Sequence, residues 1–180
     1  MQALTEFINK TLKMNKTAPL TAKFDADWPS PCELYQKDDH TYWKPLRQDP
    51  PVFFDGLSNA LEMEIHHDIK AYYSSYWSGS LQADSSEGRV SLIQLWNRDD
   101  FDRLIANLIG HAIAKQKARQ EFTVFFATTD PDTEAFLSID NLTGTILLEE
   151  PGKGPLFDVE KDINLFLRRL TPKIRPADIY

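Results

Sequence analysis

The chain has 180 residues, a length that suits one domain of ~100–200 residues, and its 42% hydrophobic content is enough to build a core, which excludes wholesale disorder. A single cysteine, Cys32, excludes an intrachain disulfide and a cysteine-held zinc site. Net charge is −7 but unevenly spread: residues 1–23 and 168–180 carry +3 each, and residues 24–167, with 12 basic and 25 acidic side chains, carry −13, a body that repels nucleic-acid phosphate.

Residues 2–16 read as an amphipathic helix, with Leu4, Phe7, Ile8 and Leu12 on one arc and Lys10, Lys13 and Lys16 opposite. It reads as a terminal helix docked on its own domain, with contact to an anionic membrane surface as the alternative. The segment MQALTEFINKTLKMNK does not read as a signal peptide, and no window approaches ~18 consecutive apolar residues. Residues 17–56 are interrupted by Pro19, Pro29, Pro31, Pro45, Pro50 and Pro51 but anchored by Trp28, Tyr42, Trp43, Phe53 and Phe54. That pattern predicts an ordered, irregular segment with one short strand near Thr41 to Lys44.

From Ser58, a plausible N-cap, Leu61, Ile65, Ile69, Tyr72 and Tyr76 recur at helical spacing as far as Gly79. Ser80 to Asp84 and Arg89 to Trp96 read as strands joined by a Ser85-Ser86-Glu87-Gly88 hairpin turn, the second strand being central because it is apolar on both faces. The clearest helix follows: Phe101, Leu104, Ile105, Leu108, Ile109, Ala112 and Ile113 trace a stripe, with Asp99, Asp100 and Asp102 at its start and Lys115, Lys117 and Arg119 at its end. Phe122 to Thr128 is an apolar strand, Ala135 to Ile139 and Thr145 to Leu148 form a hairpin, and Ile163 to Leu170 forms a closing helix. The mixture predicts an α+β fold in a single domain spanning 1–180.

Residues able to carry chemistry are few. His66 and His67 sit beside Glu62, Glu64 and Asp68, but neighbours on a helix point ~100° apart and the HExxH spacing is missing, so no metal site is read there. His111 falls within the long helix with no nucleophile near it in sequence, and Cys32 next to Glu33 is no activated thiol. No phosphate-cradling glycine loop and no nucleophile elbow occurs among seven glycines, so neither a cofactor nor an enzymatic activity is expected.

Several segments taken together resemble the Syd family: Ser30-Pro31-Cys32, Tyr42-Trp43-x-Pro45, Tyr72-Tyr73 to Gly79, Leu92-Ile93-Gln94-Leu95-Trp96-Asn97-x-Asp99-Asp100-Phe101 running into Asn107-Leu108-Ile109-Gly110-His111, Asn141-Leu142-x-Gly144, and Phe166-Leu167. The block from Gln94 to His111 is the most specific part, while Lys10 to Lys23 and Arg175 to Tyr180 match nothing in the pattern. The resemblance implies a SUKH-like fold, with a curved, mixed, largely antiparallel sheet flanked by helices. It also implies a non-enzymatic peripheral protein on the cytoplasmic side of the bacterial inner membrane, also soluble in the cytoplasm. Its partner would be SecY, the channel of the Sec translocase, bound through basic cytoplasmic loops, with a role in titrating or proofreading improperly assembled channel. No nucleic acid, small-molecule substrate, metal or cofactor is implied. Cytoplasmic loops of membrane proteins are rich in Lys and Arg, so a −13 body is their electrostatic complement.

Candidate partner-binding residues are the acids Glu62, Asp68, Asp84, Glu87, Asp99 and Asp100 and the aromatic anchors Trp43, Tyr73 and Trp96. The competing reading from the SUKH likeness is an immunity protein that caps a basic toxin.

Overall fold

The computed structural model describes residues 1–15, 19–86, 88–130 and 132–174. Helix α1 (Gln2–Met14) buries Ala3, Leu4, Phe7 and Ile8 and leaves Lys10 and Lys13 in solvent, as its period predicts. The proline-rich segment is more regular than its sequence suggests. Strand β3 (His40–Trp43) falls where a strand is expected, and it pairs with both β1 (Leu20–Lys23) and β2 (Glu33–Lys37) in a three-stranded antiparallel sheet. Strand β4 (Leu46–Arg47) leaves that sheet to pair with β5 (Tyr76–Trp77).

The helix expected from Ser58 to Tyr76 is two helices and a strand. Helix α2 (Asp55–Leu61) stops where Glu62 takes a left-handed backbone with φ 52°, and α3 (His67–Tyr73) restarts on His66, whose ring accepts the Asp68 N–H. Ser58 therefore lies inside α2 and caps nothing. Most of the apolar period survives the break: Ile65, Ile69, Tyr72 and Tyr76 enter one core, and Leu61 packs against it partly buried.

The main sheet has seven antiparallel strands in the order β11-β10-β9-β8-β7-β6-β12. These are β6 (Leu81–Ser85), β7 (Gly88–Leu92), β8 (Thr123–Thr128), β9 (Phe136–Asp140), β10 (Ile146–Glu149), β11 (Phe157–Glu160) and β12 (Thr171–Pro172). Strand β7 ends at Leu92, four residues short of the expected Trp96, although it is interior as expected. Helix α4 (Arg98–Lys117) connects β7 to β8, and α5 (Ile163–Arg169) connects β11 to β12. The class is α+β with a curled antiparallel sheet, as the resemblance implies.

Helix α4 starts on Asn97, whose side chain accepts the Asp100 N–H, an N-cap that satisfies one orphan donor. Phe101, Leu104 and Leu108 are buried, but Ile113 is exposed and Lys115 is buried in its place. The expected stripe therefore holds for three turns and then rotates, because a buried ion pair replaces apolar contact at the helix end. Helix α1 packs on α5 and β12, which sets the helix bearing Lys10 and Lys13 beside the one bearing Arg168 and Arg169. No helix among the described residues is long and apolar enough to cross a membrane.

Candidate functional site

The sequence-predicted contact residues separate into three places. Trp43, Trp96 and Asp100 meet in one pocket of about 300 Å3, between the three-stranded sheet and the start of α4. Glu62 and Asp68 lie at the break between α2 and α3, and Asp84 lies on β6 against the basic C-terminal end.

The first pocket is held together from both sides. The loop carrying Trp28 is tied to the α4 entry by three hydrogen bonds. Trp96 Nε1 donates to Trp28 O at 2.9 Å, Asn97 Nδ2 donates to Pro29 O at 2.9 Å, and the Ser30 hydroxyl donates to Trp96 O. Trp43 stands edge-on to Trp96 with ring centroids 5.7 Å apart and planes at 89°, a favourable aromatic geometry. Gly79 makes this fit possible, since a Cβ there would lie 2.6 Å from Trp43 Cζ2. The Trp43 indole N–H is buried and finds no acceptor among the described residues.

Three carboxylates join these rings: Asp25, Glu33 and Asp100. Asp100 Oδ2 accepts the Trp96 backbone N–H at 3.0 Å. Burial pushes the Asp100 carboxyl above its ordinary value, and the Trp96 N–H and the Arg103 guanidinium offset this only in part. Arg103 lies over the Trp28 ring at 3.8 Å from its centroid and reaches to 4.0 Å from Asp100. The chain's own guanidinium thus shows what this corner accepts: a cation on an indole face beside a carboxylate. Cys32 sits beneath, its thiol pushed up to about 11 by burial, which keeps it protonated.

Sequence reasoning missed Trp28, Asp25, Glu33 and Gln94, which line the same pocket. Tyr73 was expected as an anchor, but it is 1% exposed, and its hydroxyl donates to Phe125 O at 2.7 Å, so it belongs to the core. Burial raises its pKa. Trp43 is buried as well but still forms a pocket wall. Asp84 is paired with Lys173 at 3.2 Å, so its charge is already answered. Asp99 is exposed at the first turn of α4, and Glu62 is exposed. Glu87 lies outside the described residues.

At the α2–α3 break, His66, His67 and Asp68 bring ligand-capable atoms within 4.8 Å of one another. His66 Nδ1 is engaged by the Asp68 N–H at 3.2 Å, and His67 Nε2 lies 3.5 Å from the Asp68 carboxylate. Burial and the adjacent His67 lower the His66 pKa, favouring the neutral ring that can accept this bond. The β9–β10 turn clamps the break: Asn141 accepts the His66 N–H at 3.0 Å and donates to Glu64 O at 2.9 Å. Gly144, at φ 79°, leaves room for the His66 ring. The arrangement reads as a structural joint.

Comparison with known proteins places these features in a family. The profile described as Syd protein (SUKH-2) matches residues 1–172. Protein Syd of Alteromonas mediterranea is 36% identical over 171 residues, covering 94% of each chain. Protein Syd of Pseudoalteromonas atlantica is 38% identical over 154 residues, covering 83% of this chain and 82% of that one. Protein Syd of Hahella chejuensis is 42% identical over 135 residues, covering 75% of this chain and 69% of that one. A match over nearly the whole length, spanning the Gln94 to His111 block and the tryptophan pocket, identifies the chain as a member of the Syd family.

Proposed function

We propose that the chain is a single-domain, non-catalytic binding protein that captures basic cytoplasmic loops of SecY at the cytoplasmic face of the inner membrane. In this role it titrates or proofreads channel that is improperly assembled. The pocket of Trp28, Trp43, Trp96 and Asp100 receives an arginine or lysine of such a loop, and Asp25 and Glu33 widen the acidic rim. The observation that carries this reading is the Arg103 guanidinium stacked on Trp28 beside Asp100. A partner cation entering here displaces Arg103 from the Trp28 face and takes over its contact with Asp100, whose charge is poorly solvated.

The basic side of the molecule supports a peripheral location. Lys10 and Lys13 on α1 and Arg168 on α5 are exposed on neighbouring helices, a patch suited to anionic lipid beside the channel. Capture of detergent-solubilised SecY at rising ionic strength tests the proposal. Capture that weakens with salt is the expected result, and equal capture at low and high salt overturns the electrostatic mechanism.

A further inference from the structure

A second cavity, of about 400 Å3, opens between the C-terminal half of α4 and the strands β8, β9 and β10. Its volume falls in the ~300–1,000 Å3 range of small-molecule sites. Ile93, Phe125 and Phe136 make an apolar wall, and Ala114 stands exposed on the helix at its mouth. Lys115 and Glu149 also line it, at 5% and 1% exposure. An ion pair this deep is costly to desolvate, and an apolar pair of similar shape would serve stability at least as well.

The hydrogen bonding around the pair is incomplete on one side. Glu149 accepts from the Lys115 ammonium and from the Ser138 and Thr123 hydroxyls. Lys115 has three N–H donors and makes its one hydrogen bond among the described residues to Glu149. Its remaining donors are held in the wall of an apolar cavity, where a polar hydrogen needs an acceptor.

The charges facing the cavity cancel. Lys115 is matched by Glu149, and Lys153 by Glu150. His111, whose Nε2 lies 3.1 Å from Thr123 Oγ1, is kept toward the neutral form by burial and by the Lys115 charge. An ionic ligand would bring an unmatched charge into this low-dielectric space. Ring packing already present shows the shape preferred there: His111 meets Phe125 at 6.0 Å and 83° and Phe136 at 6.4 Å and 77°. Flat rings meet edge to face in this corner.

We propose that this cavity binds a small neutral molecule with a planar apolar body and a carbonyl or amide oxygen that accepts from Lys115. The site is separate from the tryptophan pocket and does not depend on the reading given to that pocket.

The test uses the full chain and two probes of nearly equal shape, indole-3-acetamide and the anionic indole-3-acetate, followed by amide and methyl NMR shifts. Saturable shifts confined to α4 and to β8, β9 and the Glu150 to Lys153 loop are expected with the amide, and binding of the acetate is expected to be roughly tenfold weaker. Ala114→Leu fills the mouth from an exposed helical position where Leu is well tolerated, so the fold is retained and binding of the amide is lost. Absence of saturable shifts, equal binding of both probes, or shifts that survive Ala114→Leu in the folded protein overturns the proposal.

Discussion

The Asp100 carboxylate accepts the backbone N–H of Trp96 at 3.0 Å, while Asp100's own N–H is accepted by Asn97. One acid thus closes the entry of α4 and charges the tryptophan pocket. The two roles can be separated, because an amide keeps the acceptor and removes the charge.

Asp100→Asn is expected to leave folding stability at pH 7 unchanged or slightly higher. The folded carboxyl has a raised pKa. The stability this confers is present below the unfolded value of 3.8 and is lost as pH rises through the folded value, so at neutral pH the charge costs rather than helps. Capture of SecY should fall by roughly tenfold or more, the loss of a charge-assisted contact of ~1.5–3 kcal/mol. Unchanged capture with an unchanged melting point would remove Asp100 from the interface. Reversing both Asp99 and Asp100 to Lys should weaken capture further, at a stability cost of ~0.3–1 kcal/mol for the helix dipole at each position and ~1–3 kcal/mol for the Trp96 N–H left without its acceptor.

Gly79→Ala probes the pocket from behind. The new methyl would lie 2.6 Å from Trp43 Cζ2, so the indole must shift and its edge-on contact with Trp96 changes. Overpacking of this kind costs ~1–3 kcal/mol, readable as a shift in urea midpoint with a change in tryptophan fluorescence. An unchanged emission spectrum would mean that the Trp43–Trp96 contact tolerates displacement.

These two positions also mark what was legible in the sequence. Local signals sufficed for α1, the Asn97-capped α4 and the β9–β10 hairpin, because each rests on a periodicity or a turn within one segment. The tryptophan pocket was only half visible. Trp96 and Asp100 are close in sequence, but Trp28 reaches them through hydrogen bonds spanning 68 residues, made by the loop between β1 and β2 of a small sheet that the prolines disguised. Tyr73 shows the opposite error: an amphipathic side chain looks like an anchor until the strand above it supplies Phe125 O as an acceptor. Lys115 fits a favourable last-turn charge on sequence alone, and only the distant Glu149 on β10 explains why the structure buries it.

That buried pair makes a stability prediction of its own. Lys115→Met strands Glu149 without its cation and should cost ~3–5 kcal/mol, while Lys115→Met with Glu149→Gln, which keeps an acceptor for Ser138, should recover most of it. Burial raises the Glu149 pKa, but hydrogen bonds from Lys115, Ser138 and Thr123 outweigh it and hold the group below its ordinary 4.5. Its contribution is therefore present above pH 4.5 and lost as pH falls through the lower folded value. Denaturation curves of the double variant should show a weaker acid dependence than those of the parent, and equal slopes would contradict the assignment.

His66 should make the protein less stable in mild acid. Its folded pKa lies below the ordinary 6.5, so the unfolded chain takes up the proton first and stability falls as pH drops from 6.5 through the folded value. Protonation also removes the Nδ1 lone pair that caps α3. His66→Asn keeps a capping acceptor and should flatten part of this slope, the remainder belonging to His111, whose pKa is lowered in the same direction. NMR titration of the two rings checks the assignment directly, and a His66 that titrates at or above 6.5 would refute it.

The adjoining basic helices carry the last expectation. Lys10 and Lys13 are exposed on α1, which packs against the helix bearing exposed Arg168. Each such charge near an anionic bilayer is worth ~1 kcal/mol, so replacing Lys10, Lys13 and Arg168 by Glu should abolish sedimentation with phosphatidylglycerol-containing vesicles. Because these residues lie outside the tryptophan pocket, capture of SecY in detergent should persist in the same variant. If vesicle binding survives the reversal, the basic face is not the membrane-facing one; if detergent capture is lost as well, SecY itself contacts this face.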